Sequence, residues 1–232
     1  MPSSSGLPPP QPRKIPSQKR SHATVAYIVG AARKILHEEG IAAITTRRVA
    51  DRSGVGVGSL YQYFPNREAI IARLVEEEVR NESAAMQGFF NEIRGLPLPD
   101  FLAEANARLI QSERRMLALG GDFYRRYVEH FQVLRHVGDP SADDRGPDVE
   151  TPVLDTRHSL EKRAADVKEA DLNLAAYLLA RGVPAMLRRM TAEQPELLDS
   201  PRLPQVMMRL LMAIVDGKDM GPGGNEATDP RR

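Results

Sequence analysis

A chain of 232 residues is long enough for one large or two small domains, and 41% hydrophobic with 27% charged residues is ordinary for a folded globular protein. The absence of cysteine excludes a disulfide scaffold, thiol catalysis and Cys-based zinc or iron–sulfur sites. The net charge of +1 conceals a division: residues 1–75 carry eleven Lys/Arg against four Asp/Glu, and residues 76–232 carry 21 against 27. A basic head on an acidic body points to a polyanion-binding segment joined to something that is not one.

Residues 1–20 hold seven prolines or glycines, four serines and four basic residues (Arg13, Lys14, Lys19, Arg20), with almost nothing apolar. Such a composition cannot bury enough surface to offset chain entropy, so a disordered basic arm is expected. It either stays solvated or touches DNA phosphates or the minor groove. Met1–Pro12 also lacks the apolar stretch of a signal peptide, and no apolar run nears the roughly 20 residues that span a bilayer. A cytoplasmic protein without a membrane partner is the expectation.

Helical periodicity begins at Ser21, with Val25, Ile28, Val29, Ala32, Ile35 and Leu36 on one face, and Gly40 ends that helix. Two short segments follow, Thr46–Arg52 and Val57–Tyr63, separated by Ser53 and Gly54. Pro65-Asn66 then breaks the chain, Asn66 is placed to cap the next helix, and Ile70, Ile71, Leu74, Val75 and Val79 line one side of it. Helices are predicted at Asp100–Leu119 and Asp122–Val137, the second carrying a stripe of Phe123, Tyr127 and Phe131. Gly138–Glu150 reads as an acidic loop, and helix resumes over Thr151–Val167. A long helix over Ala170–Met190 should be bent by Pro184, and a last one covers Pro201–Val215. No strand alternation of any length occurs, so the expected fold is all-α, in about nine helices.

The segment from Ile44 to Glu68 is the most informative. It reads as two very short helices joined by a Gly-containing turn, with Val49, Ala50, Val55, Leu60 and Phe64 as a small core. Gly54 can take the positive φ of a sharp turn. The second helix then presents Val57, Gly58, Ser59, Tyr61, Gln62 and Tyr63, small or hydrogen-bonding groups suited to phosphates and base edges in a major groove. Gly54-Val-Gly-Val-Gly is no nucleotide loop, because no strand precedes it and no Gly-Lys-Ser/Thr follows. The five histidines are scattered without metal spacing, and no nucleophile elbow or carboxylate pair stands out, so neither an enzyme nor a cofactor is expected.

Residues 25–75 resemble the DNA-binding domain of the tetracycline-repressor (TetR) family. The resemblance rests on Ala31-Ala32, Leu36, Gly40, Thr45-Thr46-Arg47, Val49-Ala50, Ser53-Gly54-Val55 and the run from Leu60 to Arg67. It implies an N-terminal three-helix helix-turn-helix domain (21–68) followed by a larger helical effector-binding and dimerisation domain (69–217), with a disordered tail at 218–232. It also implies DNA contacts. Thr46 and Arg47 would meet phosphates or an adjacent base, and Ser59, Tyr61 and Tyr63 would lie on the recognition helix. Arg67 would bring charge to the backbone. Val57 and Gly58 are the positions for base reading, where an apolar and an empty side chain suit a thymine methyl or close backbone approach. Indirect readout gains weight accordingly.

The implied function is a dimeric regulator, most simply a repressor, on a palindromic operator in double-stranded DNA, released by a small and largely apolar effector. Leu109, Met116, Phe123, Tyr127 and Phe131 are the candidates for the effector pocket. Leu172, Leu179, Met186, Val206, Leu210 and Ile214 are those for the homodimer interface. A metal-responsive regulator and an all-α adaptor without operator binding are the alternatives. An adaptor would be expected to lack the exposed Thr46-Arg47 and Tyr61/Tyr63 set.

Overall fold

The computed structural model describes residues 8–12, 19–134, 151–162 and 169–216, and these are helical or connecting segments with no strand among them. The first helices are α1 (Lys19–Glu39), α2 (Thr46–Ser53), α3 (Val57–Tyr63), α4 (Arg67–Ile93), α5 (Leu98–Arg126) and α6 (Val128–Leu134). They are followed by α7 (Thr151–Glu161), α8 (Glu169–Tyr177), α9 (Val183–Glu193) and α10 (Leu203–Asp216). A π-helical turn, Leu178–Gly182, makes α8 and α9 one continuous path, so the described chain forms nine rods. The predicted loop at Gly138–Glu150 and tail at 218–232 lie outside the described residues, as does most of the expected arm. Within the arm, Pro9 is buried and Gln11 Nε2 donates to Glu76 Oε1 at 3.3 Å, so this short stretch lies against α4.

Local chemistry sets the ends of the elements. Gly40 takes φ +84° where α1 stops, and its N–H donates to Leu36 O at 2.9 Å. Thr45 caps α2 by accepting from Arg48 N at 3.2 Å, and Gly54 closes it in the left-handed region at φ +69°. Asn66 Oδ1 accepts from Ala69 N at 2.9 Å, the cap expected for α4.

Two breaks shape the body. α5 runs on through residue 126, but Gly121 leaves helical geometry (φ +51°, ψ −140°), so the rod kinks where two separate helices were predicted. Pro184 lacks an N–H and its ring would meet the carbonyl one turn back. The π turn immediately before it absorbs that mismatch, and α9 continues from Val183.

The apolar residues form two cores. The first joins Ile28, Ala32, Ile35, Val49, Leu60 and Phe64 of the head to Ile70, Leu74 and Val79 of α4 and to Met116, Tyr124, Val128 and Phe131. The expected domain boundary after residue 68 therefore falls inside one continuous core. The second gathers Leu102 and Ile110 of α5 with Leu172, Ala175, Val183, Leu187, Met207 and Leu211 of the C-terminal helices. α5 crosses from one core to the other, and with α4 it is the shared spine.

Candidate nucleic-acid interface

The head presents α3 outward on a fixed base. Leu60 is fully buried, Phe64 seals the helix from below, and half-buried Tyr63 packs against the same core. At 100° per residue Val57, Gly58, Tyr61 and Gln62 then share the opposite face. Val57 and Tyr61 are each 43% exposed, unusual for large apolar and aromatic side chains on so short a helix. Gly58 adds no side chain between them, and a Cβ there would meet nothing within 4 Å. The open space leaves the backbone free to approach another molecule. Ser59, on the edge of this face, is exposed.

The start of α2 adjoins that surface. Thr46 Oγ1 lies 3.2 Å from Tyr61 Oη, so the two hydroxyls form one polar spot between α2 and α3. Arg47, next in the chain, is exposed. The other two arginines of α2 are turned back to α1. Arg48 pairs with Glu39, and Arg52 donates to Glu38 Oε1 at 2.6 Å. The hydrogen bond from Arg48 holds the Glu39 carboxyl below the ordinary glutamate range and raises the Arg48 guanidinium in turn. Of the basic residues on this helix, Arg47 is the one that faces outward with the hydroxyls.

Arg67 differs from its expected orientation. Its guanidinium is directed at the connector between α1 and α2, where Nε donates to Ile44 O at 2.6 Å and Nη2 to Ile41 O at 2.8 Å. Sequence reading treats such an arginine as a free cation, because its acceptors lie 23 and 26 residues away and are backbone carbonyls.

α4 is fastened to the head by a second arginine. Arg33 of α1 donates from Nε to Glu78 at 2.9 Å and from Nη2 to Glu77 at 2.6 Å. Its pKa is raised although burial acts to lower it, because the hydrogen bonds it donates to both carboxylates, together with their charges, outweigh desolvation. Further along α4, Glu82 is 5% exposed and accepts from Arg108 of α5 at 2.6 Å. These buried carboxylates were missed from sequence. Glu113 was missed too; it is buried on α5 and accepts from the Tyr124 hydroxyl at 3.1 Å. Among the described residues no three His, Asp or Glu side chains converge to hold a metal ion.

The five pocket candidates do not come together. Met116 and Phe131 are fully buried in the first core, with Phe123 and Tyr127 packed against it and their rings 4.9 Å apart. Leu109 belongs to the second core. α5 runs between the two cores, so Met116 enters the first while Leu109 and Leu117 pack against the second.

The dimer candidates also divide. Leu172 is an intrachain core residue, while Leu179, Met186 and Ile214 are half-buried against that core. Val206 and Leu210 are exposed on α10, at 56% and 39%, and α8 adds Leu174 and Tyr177 at 59% and 58%, which the sequence reading passed over.

A short outward helix, on a capped, glycine-turned support whose first turn adds a hydroxyl and an arginine, has the form of a helix-turn-helix on a helical body. Residues 28–74 match the sequence model of the family described as "Bacterial regulatory proteins, tetR family". The HTH-type transcriptional regulator UidR of Escherichia coli (strain K12) is 25% identical over 88 residues, 38% of this chain and 43% of UidR. The same regulator from Shigella flexneri matches equally. The chain thus spans less than half the length of the curated relatives it matches. Among solved structures, ligand-free RolR aligns at a TM-score of 0.49 with 15% identity, covering 82% of this chain and 94% of RolR. SmeT, described as the repressor of the Stenotrophomonas maltophilia multidrug efflux pump SmeDEF, aligns at 0.43 with 21% identity over 82% and 88%. The similarity to the tetR family thus lies in residues 28–74, which span the outward helix and its support.

Proposed function

We propose that the chain is a ligand-responsive transcriptional regulator, most simply a repressor, that binds a palindromic operator as a homodimer and is released by a small, largely apolar effector. The observation that carries this is the exposed face of α3 beside the Thr46–Tyr61 hydroxyl pair and Arg47. Thr46, Arg47 and Tyr61 supply phosphate contacts. Ser59, exposed at the edge of the same face, and the hydroxyl of half-buried Tyr63 add further contacts to the DNA backbone. Val57 and Gly58 face the bases, reading a thymine methyl or shape in place of a guanine fork.

One helix-turn-helix offers little area, so affinity calls for two heads on one duplex. The exposed apolar residues of α8 and α10 (Leu174, Tyr177, Val206, Leu210) support pairing through a four-helix contact between protomers. Leu109 and the five methionines in or against the second core (Met186, Met190, Met207, Met208 and Met212) are adaptable apolar side chains suited to an effector of low polarity. The effector acts by its difference in affinity between two spacings of the heads, which α4 links to the body. Such a protein works in the cytoplasm, where its operator is.

The test is a salt titration of binding to the DNA immediately upstream of the chain's own gene, against a scrambled duplex of equal length. Tighter binding to the upstream DNA supports the regulator. Absence of binding to both, even at low salt, favours the adaptor reading.

A further inference from the structure

We infer that Arg67 is a positioning residue for the DNA-contacting surface and not one of its phosphate ligands; this rests on the DNA-binding reading above. Both nitrogens that meet the connector donate to carbonyls of the same short turn, Ile41–Ala43 and its cap Ile44. Ile41 O also accepts from Ile44 N at 3.3 Å, so the turn is closed on itself and then pinned to the first residue of α4. The remaining nitrogen, Nη1, lies 3.8 Å from the Glu68 carboxylate, an unfavourable place for a phosphate.

What the fork holds is the approach to the DNA face. Ile44 is fully buried, Thr45 caps α2, and Thr46 meets the Tyr61 hydroxyl. From Arg67 to Ile44, along the chain to Thr46, and across to Tyr61 there is one short path of contacts. Without the fork, Ile44 O loses the Arg67 donor, Ile41 O keeps only the Ile44 N–H, and the start of α2 loses its tie to α4. A lysine would keep the charge, but a single ammonium on a flexible stem does not reproduce a planar two-pronged donor.

The experiment measures binding of wild type, Arg67→Gln, Arg67→Lys and Arg47→Ala to the upstream duplex across a salt series, with amide hydrogen exchange on the free proteins. Both Arg67 variants should bind about tenfold or more weakly, keep the wild-type slope of log affinity against log salt, and exchange the Ile44 amide faster. Arg47→Ala should lower that slope by about 1 and leave exchange at Ile44 unchanged. Exchange at Ile28, near the middle of α1 and fully buried, reports whether the head is folded; if the Gln variant fails that check, the Lys variant carries the test. Wild-type affinity in Arg67→Lys, with a lowered slope in Arg67→Gln, would make Arg67 a phosphate ligand and overturn the inference while the DNA reading stands. Unchanged affinity in both would also overturn it. Failure of the wild-type chain to bind either duplex would remove the DNA reading and the inference together.

Discussion

The Tyr61 hydroxyl and the Thr46 hydroxyl lie 3.2 Å apart, joining the exposed face of α3 to the first turn of α2. Each hydroxyl has one proton, so one donates to the other and the second proton is left for another acceptor, a phosphate oxygen in the proposed complex. Tyr61→Phe should weaken operator binding by about 1–2 kcal/mol, and Thr46→Val by a similar amount. The double variant should lose less than the sum, because each single change already breaks the pair. Strict additivity in the cycle would show that the two hydroxyls act separately. Replacing both Tyr61 and Tyr63 with alanine should weaken operator binding further and leave the oligomeric state unchanged. Unchanged operator affinity there would sink the assignment of this face.

Two glycines should fail for different reasons when made alanine. At Gly54 a Cβ meets nothing within 4 Å, but φ is +69°, so the cost is the left-handed backbone alone, about 1–2 kcal/mol. At Gly120 the added Cβ would fall inside the van der Waals envelope of Tyr124 Cβ, on a ring that is fully buried and stacked 6.0 Å from Phe131. Gly120→Ala should therefore cost more, about 1–3 kcal/mol or above. Thermal unfolding orders the two, and a milder effect at Gly120 would mean the kink relaxes around the methyl.

The head was legible because its signals are local: caps, a positive-φ glycine and short apolar spacing all lie within a few residues of what they decide. Of the residues expected as its core, Val49, Ala50, Leu60 and Phe64 are buried at 0–2% exposure and Val55 is half-buried against them. The body was less legible because its decisive features act across the chain. Glu78 and Glu82 look like solvated charges until Arg33 and Arg108 arrive from other helices. Tyr124 was passed over for its neighbour Phe123 because the kink at Gly121 re-aims everything after it. Leu172, a candidate for the partner surface, shares the core face of its helix with Ala175, Val183 and Leu187, while the exposed Leu174 carries no periodic signal of its own.

The exposed apolar strip of α8 and α10 makes a prediction about assembly. Leu174→Glu combined with Val206→Glu should shift the chain to monomer in sedimentation, since each removes about 1.5–3 kcal/mol of burial and adds a charge to an apolar contact. Because the partner carries the same changes, the loss is counted twice. Leu172→Glu should instead disrupt folding of the protomer, its side chain being in the core. A double variant that remains dimeric would place the interface elsewhere.

Glu39 and Arg48 tie α1 to α2 at the surface, and their pH dependence has a definite sign. The Arg48 hydrogen bond lowers the Glu39 pKa from 4.5, so the folded state holds the charged form more strongly than the unfolded chain does. The stabilisation is therefore present above pH 4.5 and is lost as pH falls through the lowered folded value. Both groups are fully exposed, so the effect should be small and weakened by salt. Glu39→Gln should slightly reduce stability at neutral pH and converge with wild type under acid. A gap that widens in acid would reverse the assigned sign.

Glu82 is the strictest test of the spine. Its carboxylate is 5% exposed, accepts from Arg108 at 2.6 Å and lies 3.4 Å from Arg115, so α4 and α5 are joined by a charge inside the protein. Arg108 is 16% exposed and sits over the Phe89 ring, 6.0 Å from its centroid, while Arg115 is largely solvated. Glu82→Gln leaves the Arg108 cation without its counter-charge and should cost toward the lower end of about 3–5 kcal/mol, the ring and residual solvent offsetting part of it. If the cost comes from the orphaned cation and not from lost attraction, Glu82→Met with Arg108→Met should recover most of it. Urea midpoints at constant m separate the cases. A double variant no more stable than Glu82→Gln would show that the pair itself, and not the avoidance of an unpaired charge, holds α4 to α5.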